Sequence, residues 1–156
     1  MKISKCFILC LTLVSILLLG TVTRTFAADP LQTQMSLDAA FQVDVLKAKV
    51  KDDVLTVTMM LRNTTDKLTE FTGVIDESHY IVAEKNKKFH ALKDSKGKWL
   101  ADPVKYGAHS AWYSSRVPAK GKSIIWIRFP APPEGVEKVD LSMQSIVPFD
   151  SLEISR

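Results

Sequence analysis

The sequence predicts a single all-β domain, an immunoglobulin-like β-sandwich, on three observations. From Phe41 onward, apolar residues recur at every second position, the pattern of strands with one buried face. Clusters of turn-forming residues interrupt the chain every ~8–12 residues, the spacing of short antiparallel strands. No stretch after residue 40 sustains a 3.6-residue period with helix caps. A small closed barrel is the alternative arrangement.

The clearest element is a hairpin. Phe41, Val43 and Val45 alternate with Gln42 and Asp44, and Leu55, Val57, Met59 and Leu61 alternate with Thr56, Thr58 and Met60. Lys51-Asp52-Asp53 forms the charged turn between them, and Arg62-Asn63-Thr64-Thr65-Asp66 closes the second strand with turn-favouring residues. Short strands are expected at 71–75, 80–83 and 88–92, with turns at Asp76-Glu77-Ser78 and Glu84-Lys85-Asn86-Lys87. Asp94-Ser95-Lys96-Gly97 is a further turn, Pro103 and Gly107 mark a loop, and 110–117 is extended. A strong strand covers 123–129, with Ile125, Ile127 and Phe129 on one face and Ile124, Trp126 and Arg128 on the other. Pro130, Pro132 and Pro133 stop it, because proline cannot donate to a ladder. Val139, Leu141 and Met143 form another strand, and 152–154 a short last one.

The chain begins differently. Lys2 and Lys5 precede an apolar run from Cys6 to Val22, and Thr25-Phe26-Ala27 then supplies small residues at the positions a signal peptidase reads. Residues 1–27 are therefore expected to be a cleaved signal peptide and 28–40 a lead-in without periodicity. Residues 41–156 would be the single domain. No cysteine follows Gly20, so no lipid anchor is expected, and no membrane span should remain after cleavage.

Cleavage changes the electrostatics. The full chain has 21 basic and 17 acidic residues, but Lys2, Lys5 and Arg24 leave with the signal, so the mature net charge is about +1. The basic precursor is thus no argument for nucleic-acid binding. Both cysteines leave as well, so the exported domain must be held by its apolar core without disulfides. A bacterial periplasmic or secreted location fits that composition better than a eukaryotic secretory one.

Three segments together carry a resemblance: the hairpin ending in Leu61-Arg62-Asn63-Thr64-Thr65; Tyr80-Ile81-Val82 through Lys88-Phe89-His90-Ala91-Leu92 to Trp99-Leu100; and Ile127-Arg128-Phe129-Pro130-Ala131-Pro132-Pro133 with Val139-Asp140-Leu141 and Pro148-Phe149. The chain resembles poorly characterised bacterial exported domains with an immunoglobulin-like fold, sometimes found beside OmpA-type peptidoglycan-binding domains. The resemblance implies fold and compartment, and transfers no catalytic residue.

Candidate chemistry is sparse. His79, His90 and His109 lack any H-x-H or H-x-x-x-H spacing, and no cysteine of the mature chain could complete a zinc set. Met59 and Met143 fall on apolar strand faces and read as core filler rather than copper ligands. Ser110, Ser114 and Ser115 lie near His109 but in no G-x-S-x-G elbow. The chain is therefore expected to be no enzyme and to need no cofactor. Asn63-Thr64-Thr65 matches a glycosylation sequon that means little in a bacterium. Trp112 and Trp126 are either packed aromatics or anchors of a binding surface, and both faces of their strands are too apolar to decide; packing is favoured.

The strongest asymmetry is electrostatic. Between Glu84 and Lys98 stand Lys85, Lys87, Lys88, Lys93, Lys96 and Lys98 against two acids, a local net of +4. These lysines are the candidate partner surface, for an envelope protein or an anionic envelope polymer. Lysines that guard an edge strand against aggregation would give the same pattern. The expected function is a non-catalytic exported module binding an envelope component or protein. The alternative is a small-ligand or metal-binding periplasmic protein.

Overall fold

The computed structural model describes residues 29–156. The expected signal peptide, residues 1–27, lies outside them. Twelve strands follow in order: β1 Gln32–Met35, β2 Phe41–Lys51, β3 Val54–Asn63, β4 Thr69–Val74, β5 His79–Val82, β6 Lys87–His90, β7 Ala101–Asp102, β8 Val104–Tyr106, β9 Ala111–Val117, β10 Lys122–Pro130, β11 Lys138–Ser142 and β12 Phe149–Glu153. A 3-10 turn, Ala83–Lys85, joins β5 to β6. No helix among the described residues is long and apolar enough to cross a membrane.

The strands form an all-β sandwich of antiparallel sheets that do not close into a barrel. One layer has the order β1-β2-β3-β10-β7; the other is built from two smaller sheets, β12-β11-β5-β6 and β4-β9-β8. The layers meet through edge-to-face aromatic pairs. Phe41 of β2 touches Phe71 of β4 at 5.6 Å, and Tyr80 of β5 touches Phe129 of β10 at 5.5 Å. Val43, Val45, Leu55, Val57, Met59, Ile125 and Ile127 are all fully buried between them. Met59 and Met143 are core residues, as their positions on apolar faces suggested.

The β2–β3 hairpin shows how sequence sets geometry. Asp52 and Asp53 both adopt positive φ, 49° and 60°, and Lys51 pairs directly with Val54. That is the two-residue turn whose twist matches the strands it joins. A bulge at Leu46 separates the pairs Val45–Met59 and Lys47–Thr58. It shifts the inward phase, so Phe41, Val43 and Val45 face the core before it and Ala48 and Val50 after it.

Two segments differ from expectation. The lead-in 28–40 contains β1, which pairs with β2 from Gln32–Val45 to Met35–Gln42. The loop around Pro103 is instead two short strands, β7 beside β10 and β8 beside β9.

Candidate functional site

Open sheet edges are where this fold can recruit a partner, since an edge strand presents unpaired N–H and C=O groups. β4 is such an edge: among the described residues its only strand partner is β9. The side chain of Gln144 caps one end, Oε1 accepting from the Val74 N–H at 2.6 Å. Since Val74 donates away from β9, the alternation of a ladder directs the main-chain groups of Thr72 and Glu70 the same way. Their register partners are Ser114 and Arg116.

Along that edge runs a groove of 680 Å3, walled by β4 and Trp112 on one side and by residues 36–38 and 144–145 on the other. Its far wall is pinned by main-chain bonds from Leu37 N to Ser145 O (2.9 Å) and from Val147 N to Met35 O (3.0 Å). Gly73 closes the end: a Cβ there would stand 2.7 Å from the Gln144 carbonyl oxygen, so only glycine admits this approach. Leu37 rises on the rim with 71% of its surface exposed. Trp112 is half-buried, its ring against Gly107.

The groove carries negative charge. Asp38 Oδ1 accepts from the Ser36 hydroxyl at 2.6 Å and from the Ala40 N–H at 3.0 Å, and these bonds hold the Asp38 carboxyl below its usual value. Glu70 is also lowered, first by the Ser114 hydroxyl at 2.6 Å and, against some desolvation, by the charges of Arg116 and Lys105. Arg116 Nε stands 3.7 Å from Glu70, with its side chain mostly in solvent, a geometry that contributes little. The groove lining includes no Lys or Arg.

The lysines of the basic segment are dispersed in a different way. Lys85 lies in the 3-10 turn and Lys87 and Lys88 on β6, the edge of its sheet. Lys87 leans over the Phe89 ring at 4.9 Å, while Lys88 projects from the other strand face into a groove with Asp76, Glu77, His79 and His90. Lys93 sits 4.0 Å over the Trp99 ring. Lys96 and Lys98 belong to a tight turn in which both main-chain N–H groups donate to Asp94 Oδ1. All six side chains are exposed.

Two histidines do converge. β5 and β6 pair His79 directly with His90, with rings 5.8 Å apart. The His79 Nδ1–H donates to the Glu77 carbonyl at 2.8 Å. His109 is elsewhere, in the loop before β9. No group of three or more metal-ligating side chains exists among the described residues. Of the serines near His109, Ser114 bonds Glu70 and Ser115 bonds Ser123 at 2.8 Å.

Trp112 and Trp126 both occupy outer strand faces, contrary to the favoured core packing. Trp126 shares its face with the exposed Ile124 and lies beneath the Arg128 guanidinium at 5.1 Å. The residues opposite them, Tyr113, Ile125 and Ile127, fill the core instead.

The fold and this edge define an all-β sandwich with an open, acidic, partly apolar groove beside β4. No protein-family model matches the chain, and neither a curated protein nor a solved structure matches it.

Proposed function

We propose that the chain is a non-catalytic, exported immunoglobulin-like module of a bacterial envelope that binds an envelope component or protein partner. The observation that carries this reading is the groove beside the open β4 edge, where Leu37 and Trp112 offer apolar contact next to unpaired main-chain groups. The signal-like N-terminus and the cysteine-free remainder support the periplasmic or secreted location. The resemblance of the three strand segments to exported immunoglobulin-like domains points the same way.

The experiment is capture from a solubilised bacterial envelope with immobilised residues 28–156. A defined component retained saturably and displaced by the free protein is the expected result. Retention of nothing that free protein displaces would overturn the reading.

The His79–His90 pair favours a second reading, a small-ligand or metal-binding protein. Two imidazoles supply only half the donors of a tetrahedral zinc site, which makes it the lesser one. Calorimetric titration with zinc, compared between the unmodified protein and His79→Ala, tests it. Heat of binding that disappears in the variant would support it, and no heat in either would remove it.

A further inference from the structure

We infer that the β4 groove takes an extended peptide segment in which basic and apolar residues alternate, added as a fourth strand beside β4. This rests on the reading of the chain as a binding module and names the site and the partner's chemistry.

Backbone geometry comes first. The Val74 N–H points away from β9 to Gln144, so Thr72 and Glu70, two and four residues earlier, direct N–H and C=O into the groove. An extended backbone satisfies such groups; a helix or a compact ligand cannot match their spacing of two residues per repeat.

Side-chain chemistry comes second. An added strand places alternate residues on the two faces of the β4-β9-β8 sheet. On the outer face it stands beside Glu70, whose carboxylate is held ionised and whose Arg116 partner is solvent-exposed and distant enough to yield to a better-placed cation. On the inner side it meets the exposed Leu37 and the ionised Asp38 on the opposite wall. The lining holds two carboxylates and no cation, Arg116 and Lys105 acting on Glu70 from outside it, so a basic segment is favoured over an acidic one. The groove is closed at Gly73 and Gln144, which fixes where the added strand must stop.

The test uses two fluorescein-labelled peptides of about eight residues, one alternating Val and Lys and one alternating Val and Glu, with residues 28–156 and fluorescence anisotropy. The Val–Lys peptide is expected to bind, the Val–Glu peptide at least about tenfold more weakly, and added salt to lessen the difference. Amide exchange at Glu70 and Thr72 should slow on binding. Thr72→Pro removes an N–H that the β4–β9 ladder does not use, and Leu37→Lys puts a cation on an exposed rim. Each should lower affinity by about tenfold or more with unchanged thermal unfolding. If Thr72→Pro unfolds, Leu37→Lys still decides. Failure of the Val–Lys peptide to bind, equal binding of the two peptides, or unchanged binding by Leu37→Lys would overturn the inference. An envelope component retained equally by unmodified protein and Leu37→Lys would also overturn it while leaving the proposed function standing. Peptide binding with no envelope component retained would support the groove and remove that function.

Discussion

Arg62 of β3 reaches diagonally across the hairpin to Asp44 of β2, its Nε donating to Oδ2 in an ion pair on the outer face of the five-stranded sheet. Asp44 is fully buried even though Val43 and Val45 on either side of it face the core. β1 covers it: Thr33 Oγ1 donates to Oδ1 at 2.8 Å, and Gln42 Nε2 to the same oxygen at 3.0 Å. Burial pushes the carboxyl up, but the bonds from Gln42, Arg62 and Thr33, with the charge of Arg62, outweigh it and hold Asp44 below its usual 3.8. Its stabilisation is therefore complete above pH 3.8 and is lost as pH falls through the lower folded value. Asp44→Asn should cost about 1–3 kcal/mol at neutral pH, since Arg62 is 36% exposed and can turn to water. The loss should shrink toward acid, read as converging urea midpoints of variant and unmodified protein. The amides of 32–35 should exchange faster in the variant, because the Asp44 carboxylate adds the Thr33 side-chain bond to the β1–β2 ladder.

Asn63 is a brace. Its Oδ1 accepts from the Thr65 N–H at 2.9 Å and the Thr65 hydroxyl at 2.8 Å, while Nδ2 donates to the carbonyls of Lys67 (2.8 Å), Val117 (3.0 Å) and Pro118 (2.9 Å). One buried amide thus joins the end of β3, the approach to β4 and the end of β9. Asn63→Ala should lower stability by about 2–4 kcal/mol, because it strands several of these groups. Asn63→Asp keeps the acceptor for Thr65 but turns an oxygen toward three carbonyls, so it should be worse than alanine at neutral pH. Denaturant midpoints of the two variants check that order.

Two buried tyrosines make opposite demands on their hydroxyls. Tyr80 donates to the Pro130 carbonyl at 2.9 Å, whereas the Tyr113 hydroxyl has no protein partner among the described residues. Burial pushes both phenols well above their usual range. Tyr113→Phe removes an unsatisfied polar atom and should stabilise by about 1 kcal/mol, raising the unfolding temperature by a few degrees. Tyr80→Phe should lower it by a similar amount, since its ring contacts remain and only the bond is lost. Differential scanning calorimetry of both variants reads the contrast.

How much of this was legible depended on which residues the pattern exposed. The hairpin and β10 showed themselves because Val57, Met59, Ile125 and Ile127 alternate and are buried. β1 did not, because its polarity is inverted. Leu31, Met35 and Leu37 face solvent, while Gln32 and Gln34 turn to the Asp150 and Pro148 carbonyls of the other layer. Period-2 reasoning assumes that apolar residues face inward, and here they do not. Trp112 and Trp126 were undecidable because Ile124 and Ile125 make both faces apolar, and only the second layer breaks the tie. The groove joins residues 36–38, 70–74 and 144–145, and His79 meets His90 only through β5–β6 pairing. Neither juxtaposition leaves a mark in local spacing.

The lysines of β6 separate two roles by the sign of their charge. Lys87 and Lys88 stand on the free edge of β12-β11-β5-β6, where charge of either sign discourages another strand from docking. Recruitment of an anionic partner requires positive charge. Changing Lys87, Lys88 and Lys96 together to Glu should therefore leave the protein soluble and folded, because the edge stays charged. Changing Lys87 and Lys88 to Val should produce concentration-dependent association, seen by light scattering, because an uncharged β-branched edge invites pairing. On the partner reading, the Glu variant loses binding to anionic envelope polymer, and binding by the unmodified protein weakens as salt screens it. Binding unchanged in the Glu variant and insensitive to salt would leave the lysines with edge protection alone. Lys87 and Lys88 leave opposite faces of one strand, and Lys93 rests on Trp99, so any polymer that engages them must wrap the β6 edge rather than lie flat on one face. Lys88→Glu alone should then reduce polymer binding by less than the triple change, and an equal loss from Lys88→Glu would confine recognition to its groove with His79 and His90.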